Sequence, residues 1–340
     1  MKIKRQDLFL MLTQLKPGLA KKEIIEQSRS FLFTSRGVSA FNDEIYAFAP
    51  LELPEGLEVA VPSDELLKLL SKLPDDELEI SATDGIFSLA GKNRRSTIQG
   101  SADIIIPLDS LHDSLDGGKW FKLETHFSEH LRTASLATSH DMNDGQLCYV
   151  HVTPEGIEAT DRQKACRMVV KTGFKKEVLI EYEAAGFLQD VSPTKCCITD
   201  EWAFFRNDAG IVLGCRHRLE DYPDLSPIFK TGKGTTLTMP SNMEDVVERA
   251  EIFSKDESGL ENIIKLTLKD SKVIVASATS RGSYREIRKV KYDGAVVSFC
   301  VNPFLLKELL EHGKQIEVCS DKLTLSINDF SFVISLQDSE

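Results

Sequence analysis

No stretch of 18 or more apolar residues occurs in the chain; the longest candidate, around Ile104-Ile105-Ile106, is the length of a strand. That argues against a membrane-spanning helix. Cysteine is present in an odd number, seven, without any Cys-x-x-Cys spacing, and Cys196 and Cys197 are adjacent, a poor geometry for pairing with each other. Buried reduced thiols in a cytoplasmic protein are the reading. The charged N-terminus (Lys2, Lys4, Arg5) leads into amphipathic Leu8 to Leu15 with no small-residue cleavage site, which reads as mature sequence. The serine nucleophile pattern Gly-x-Ser-x-Gly is missing, as is His-Glu-x-x-His. His126 and His130 share a helix face, but His-Phe-Ser-Glu-His brings no third ligand at recognisable spacing, so a solvated face is expected and no metal. Thr231-Gly232-Lys233-Gly234-Thr235-Thr236 lacks the early glycine of a phosphate-binding loop and the hydroxyl directly after lysine, and reads as a linker. Carboxylates such as Asp75-Asp76-Glu77 and Glu220-Asp221 fit solvated surface. Nothing calls for catalysis or a cofactor.

Positive charge is also scarce: 41 Lys and Arg against 53 Asp and Glu, a net charge of −12. Such a surface stays soluble and repels nucleic acid on average, so the placement of the basic residues matters more than their sum.

What the sequence does have is a repeat. Ala40, Ala159 and Ala278 each end a strand-like run before a small polar turn, and they stand 119 residues apart. Val59, Val178 and Val297 open short apolar strands at the same spacing, each followed by an apolar helix: Leu66 to Leu73, Tyr182 to Val191 and Pro303 to Leu310. A further helix precedes each unit, through Leu8-Phe9-Met11-Leu12, Phe127-Leu131-Ala134 and Val246-Val247-Ala250-Ile252. Self-similarity at fixed period indicates one module copied in tandem. The expected fold is α+β in three domains, 1–118, 119–236 and 237–340, each with two helices and strands after each helix. Pro17-Gly18 ends the first helix, Ser63-Asp64-Glu65 and Ser241-Asn242 are placed as helix caps, and Glu124 to Ser139 as a helix. Gly117-Gly118 marks the first boundary.

Basic residues fall on helices and loops of all three modules: Lys16, Lys21, Lys22, Lys68, Lys72, Arg132, Arg249 and Lys307. Their spread suits loose, sequence-blind contact with phosphates.

Taken in order, the turns and helices resemble a known family. Ala159-Thr160-Asp161 with Lys164 is similar to an Ala-Thr-Asp-Gly-His-Arg-Leu segment, Asp221-Tyr222-Pro223-Asp224 to a Phe/Tyr-Pro-Asp linker, and Arg249-Ala250 before Ile252-Phe253-Ser254 to Arg-Ala-x-Leu-Ser. Tyr292-Asp293-Gly294 and Phe299 to Leu306 resemble Tyr-x-Gly and Phe-Asn-x-x-Tyr-Leu. These are segments of the bacterial beta-type DNA sliding clamp, the processivity factor of DNA polymerase III, and the departures fit a divergent phage or prophage version.

The resemblance implies three clamp domains with helices lining a ring interior and sheets outside, a homodimeric ring around double-stranded DNA, and replicative polymerase and clamp loader as partners, with no cofactor and no membrane. Lys16, Lys21, Lys22, Lys68, Lys72, Arg132 and Arg249, singled out above by their placement, are the expected DNA contacts. A partner-peptide pocket would use Leu147, Thr160, Arg162, Gln163, Lys164, Ala165, Phe229, Val333 and Leu336. The ring joint would use Arg94, Arg95, Ile98, Ile252, Phe253 and Glu286. Arg162 and Gln163 stand where the family has glycine and histidine, Ala165 is smaller than the family's leucine, and Ser280, Gly282 and Ser283 replace glutamates at the joint. A different preferred peptide and a weaker dimer follow as expectations. A peptide-binding scaffold of this fold that does not encircle DNA is the alternative.

Overall fold

A computed structural model describes residues 1–54, 56–218, 220–230, 234–255 and 262–337. Thr231 to Lys233 of the linker, and Asp338 to Glu340 of the polar tail, lie outside them. The protein is mixed α+β, and its helices follow the apolar spacing of the sequence. Helix α1 (Arg5–Gln14) buries Leu8 and Leu12, and α2 (Ser63–Lys72) buries Leu66 and Leu70. Helix α3 spans Leu108–Asp116. Helix α4 (Phe127–Ser135) buries Phe127 and Leu131, and α5 (Tyr182–Val191) buries Ala184 and Leu188. After the short α6 (Ser226–Phe229), α7 (Met243–Glu251) buries Val246, Val247 and Ala250, and α8 (Pro303–His312) buries Leu305, Leu306 and Leu309. Helix α1 packs on α2, α4 on α5 and α7 on α8. Among the described residues no helix is long and apolar enough to cross a membrane.

One order of elements recurs: helix, four strands, helix, three strands. It begins at α1, at α4 and at α7. By contacts the chain forms two compact units, residues 1–135, 149–155 and 171–220 in one, and 136–148, 156–170 and 221–340 in the other. In the first, antiparallel strands run Tyr149–Thr153, Val178–Glu181, Val212–Arg218, Ile45–Pro50, Gly37–Phe41, Ser30–Thr34, Val59–Pro62 in spatial order. A separate four-stranded sheet runs Lys2–Lys4, Glu77–Thr83, Ile86–Ala90, Arg95–Gln99. In the second unit the order is Thr235–Thr238, Gln315–Val318, Lys322–Ile327, Phe330–Ser335, Lys164–Val169, Gly156–Thr160. Its other sheet runs Gly282–Lys289, Lys272–Thr279, Ile264–Lys269, Val297–Val301.

Within each unit one strand pairing forms a seam, and the two seams are alike. In the first, Ile45–Pro50 lies antiparallel to Val212–Arg218, with Ile45 opposite Cys215. In the second, Lys164–Val169 lies antiparallel to Phe330–Ser335, with Lys164 opposite Ile334. Both members of the second pair stand 119 residues beyond those of the first, so the register is the same. The turns leading into the seams match too. Asn42 Oδ1 accepts the N–H groups of Glu44 and Ile45, and Asp161 Oδ1 accepts those of Gln163 and Lys164. Between them Asp43 and Arg162 take φ of 77° and 78°.

Three details depart from the sequence reading. Ile104 to Ile106 is no strand but the lead-in to α3, a helix the repeat did not announce because the other modules have no long counterpart. Helix α4 is shorter at both ends than Glu124 to Ser139. Ser63 is already the first residue of α2 and Asn242 forms no side-chain cap, whereas Asn302 caps α8 by accepting the Phe304 N–H at 2.9 Å.

Candidate partner-binding groove

The second seam opens into a groove of about 330 Å³. Its floor comes from Thr160, Ala165 and Val333, one wall from Pro227 and Ile228, and its rim from Arg162, Gln163, Asp321, Lys322 and Ser335. Local hydrogen bonds hold the turn that forms the floor. The Thr160 hydroxyl donates to the Lys164 carbonyl at 2.7 Å and accepts the Arg162 N–H at 3.1 Å, and the Thr160 N–H donates to the Tyr222 hydroxyl at 3.1 Å. Tyr222 thereby ties the Asp221-Tyr222-Pro223-Asp224 linker to the turn. Burial raises the Tyr222 phenol well above its ordinary range, so it stays neutral.

Lys164 lines the groove yet is almost fully buried, and its ammonium donates to both carboxylate oxygens of Glu308 at 2.8 Å. Burial pushes the Glu308 and Asp161 carboxyls up, while hydrogen bonds and the Lys164 charge pull them back. Arg162, by contrast, is exposed and reaches Asp144 at 3.1 Å. Lys322 donates to the carbonyls of Ile228 at 2.6 Å and Lys230 at 3.0 Å, so it closes the wall without spending its charge on a carboxylate.

Six of the nine expected pocket residues meet here: Thr160, Arg162, Gln163, Lys164, Ala165 and Val333. Three do not line the groove. Leu147 is buried elsewhere in the core, Phe229 lies beneath the Arg167 guanidinium at 4.4 Å, and Leu336 lines a different groove with Val296 and Phe299. Pro227 and Ile228 take the place given to Phe229 because α6 turns that ring toward Arg167. Asp321, Lys322 and Ser335 are additions to the expected set; they stand 119 residues beyond Trp202, Ala203 and Arg216 of the first unit.

The expected DNA-facing cations divide into free and committed groups. Lys16, Lys22, Lys68, Lys72 and Arg132 are exposed, with no carboxylate within ion-pair distance among the described residues. Lys68 and Lys72 share one face of α2. Lys21 reaches Glu183 at 3.0 Å in full solvent, and Lys307 reaches Glu251 at 2.8 Å. Arg249 is partly exposed; its guanidinium reaches Glu286 at 3.0 Å and the Tyr284 hydroxyl at 2.9 Å, and it shares that carboxylate with Arg288.

Glu286 itself gathers Arg249, Arg288 and Tyr284; burial opposes its ionisation, but the hydrogen bonds from Tyr284 and Arg249 prevail and hold its carboxyl below the usual range. It lies on Gly282–Lys289, the outermost strand of its sheet. Ile252 beside it is 69% exposed, and the Phe253 ring packs on Gly282, where any Cβ would meet it at 2.6 Å. Arg95 is exposed on Arg95–Gln99, the outermost strand of the other four-stranded sheet, and Arg94 reaches Asp75 at 3.3 Å. Ile98 turns inward by strand parity, opposite Phe87, and is 8% exposed. His126 faces Glu129 and His130 faces Glu124, each at 3.2 Å.

No protein-family model matches the chain. In sequence it is similar to the beta sliding clamp of Chlamydia pneumoniae, 20% identical over 289 residues, which is 80% of this chain and 75% of that protein. In structure it superposes on the DNA polymerase sliding clamp of Pseudomonas aeruginosa with a TM-score of 0.85 at 14% identity, covering 100% of this chain and 99% of that one. This chain has the bacterial beta-clamp fold. The DNA polymerase III beta subunit of Thermotoga maritima (TM-score 0.82, 16% identity) and the beta chain of Streptococcus pneumoniae (0.81, 18%) match it over 99% of their lengths. Measured against that fold, the groove lies in the second seam of the clamp chain, and the Glu286 cluster sits on one of its outermost strands.

Proposed function

We propose that the chain is a DNA polymerase processivity factor, a non-catalytic clamp of three domains (1–118, 119–236 and 237–340) that closes with a second copy around duplex DNA in the cytoplasm. The match with clamp chains over 100% of this chain and 99% of the other carries this reading. The joint would form between the outermost strand Arg95–Gln99 of one copy and Gly282–Lys289 of the other, each offering unpaired backbone groups. Arg95, Ile252 and the Glu286 cluster would meet there, and the lost carboxylates make it a weak joint. Lys16, Lys22, Lys68, Lys72 and Arg132 would supply phosphate contacts. A closed ring retains DNA by topology, so a few screened contacts suffice and a tight grip would slow sliding. The groove of the second seam would receive short segments of the polymerase and of the clamp loader.

The test is retention on nicked circular DNA before and after linearisation. A clamp stays on the circle and leaves the line; equal retention on both defeats encirclement. One observation favours the alternative of a peptide-binding scaffold without DNA: α5 carries no basic residue and α7 carries four acidic residues against Arg249 alone, itself paired with Glu286. No retention on the circle, with peptide binding intact, would favour that scaffold.

A further inference from the structure

The sheet Gly282–Lys289, Lys272–Thr279, Ile264–Lys269, Val297–Val301 packs against α7 on one face, where Leu266, Leu268, Val273 and Val275 are buried. Alternation along the strands turns Lys265, Lys269, Lys272, Arg285 and Lys289 to the other face, and all five are exposed. The residues that share this face on the same strands are uncharged: Thr267, Ile274, Ala276, Ala278, Ser283 and Ile287. Among the described residues, the only carboxylate within ion-pair distance of the five is Asp270, at the turn and 3.9 Å from Lys269. In a chain of net charge −12 this face runs against the average.

Register sorts the cations into two rows. Lys272 stands opposite both Lys269 and Lys289, so three ammonium groups lie side by side. Like charges directly opposite destabilise a sheet, and an anion laid across them removes that cost. In the other row Lys265 and Arg285 flank Ala276. Strand rise separates the rows by roughly 14 Å. Because the middle strand offers only Ala276 and Ala278 between those two cations, a trough of about 640 Å³ opens there, with Ser280 and Ser283 also lining it.

An anionic chain lying along the strands would meet cations in the trough and again at the lysine row. The trough walls are about 10 Å apart at the backbone, which admits one strand of nucleic acid and is too narrow for a duplex. Tyr284 alternates to the α7 side, where its hydroxyl meets Arg249, so no ring on these three strands is offered for base stacking. An alanine floor gives a peptide no deep apolar pocket for an anchor. We propose that this uncovered face holds the phosphate backbone of a single-stranded nucleic acid, without regard to sequence and without need of a closed ring.

Fluorescence anisotropy of the full chain with labelled twelve-nucleotide single strands tests this. Oligonucleotides of different sequence should bind alike, and the logarithm of the affinity should fall with that of salt at a slope of about −3, as displacement of about four counterions requires. Lys265→Gln with Arg285→Gln, or Lys272→Gln with Lys289→Gln, should each weaken binding about tenfold at low salt and flatten the slope by about 1.4. Thermal unfolding should show both double variants folded, the second more stable than the parent because its row of like charges is broken. A duplex of the same length and a glutamate homopeptide should bind far more weakly than the single strand. Retention on nicked circular DNA should be the same for the parent and both double variants, which separates this face from encirclement. Undiminished binding by both folded double variants overturns the proposal, as does a loss seen only with Lys68→Gln and Lys72→Gln on α2. Equal binding by the duplex overturns the single strand as the occupant, and equal binding by the glutamate peptide makes the face a docking site for an acidic protein segment instead.

Discussion

The two seams are one piece of architecture used in two ways. Both pair strands in the same register behind the same aspartate- or asparagine-anchored turn with a left-handed residue at its tip. The first is closed by its own chain. Aromatic rings fill it, α3 covers it, and Arg216 latches it by donating to the Asp43 carbonyl and carboxylate at 2.7 and 2.9 Å and to Glu201 at 3.0 Å while lying over Trp202. In the second, Ser335 replaces that arginine, and Arg162 and Ser320 replace its two acidic partners. The comparison teaches that a repeat can hold its fold constant while one copy gives up packing to leave an open groove. The frame survives because backbone pairing and the buried Lys164–Glu308 pair do not depend on the missing rings.

That contrast can be broken at its stiffest point first. Phe204→Ala, in the filled seam, should cost about 3–5 kcal/mol, since a fully buried ring leaves a cavity among rings that cannot collapse. Val333→Ala on the groove floor should cost about 1–2 kcal/mol, because one side of that residue already faces open space. Urea unfolding followed by tryptophan fluorescence reads the first, since Trp120 and Trp202 both lie in the unit containing that seam. Circular dichroism reads the second. Equal losses would mean that the seams are packed alike.

Next is the ion pair. Lys164→Met strands a half-buried carboxylate and should cost about 2–4 kcal/mol, whereas Lys164→Met with Glu308→Leu should return to within about 1 kcal/mol of the parent. The pH dependence has a definite sign. Because burial raises the Glu308 pKa above its unfolded value, the folded state holds the proton more strongly, and this group's contribution to stability declines as pH rises from the ordinary carboxylate range toward neutrality. Glu308→Gln should flatten that part of the stability profile; an unchanged slope would remove Glu308 as its source.

The smallest effects should differ in sign between the two turns. Asp43 and Arg162 share a left-handed backbone that favours glycine. Arg162→Gly relieves it and should change stability by under about 1 kcal/mol, in the favourable direction. Asp43→Gly relieves the same strain but removes the carboxylate that holds Arg216, and should destabilise by about 1 kcal/mol. Two changes of the same sign and size would show that the latch contributes nothing.

Much of the fold was legible in the sequence because apolar spacing and a 119-residue period both survive wherever a core must be kept. Helix α3 was not, although Leu108, Leu111 and Leu115 carry helical spacing, because the repeat directs attention to what the copies share and α3 is where they differ. The groove was half legible. Its turn residues follow one another in sequence, from Thr160 to Ala165, whereas Pro227, Asp321 and Ser335 reach it only through tertiary pairing. The pairing of Arg249 with Glu286 was not legible, because the two lie 37 residues apart on different elements, which no local pattern reveals. The inward turn of Ile98 is readable from strand parity, since Arg95, Thr97 and Gln99 alternate with it toward solvent.

The most direct test copies the contents of the closed seam into the open one. The triple variant Thr160→Phe, Ala165→Tyr, Asp321→Trp should fold, close the groove and abolish binding of short polymerase segments, while its retention on circular DNA matches that of the parent. Undiminished peptide binding by a folded triple variant would contradict the account, because the guest would then occupy some surface other than the space those three rings fill in the first seam.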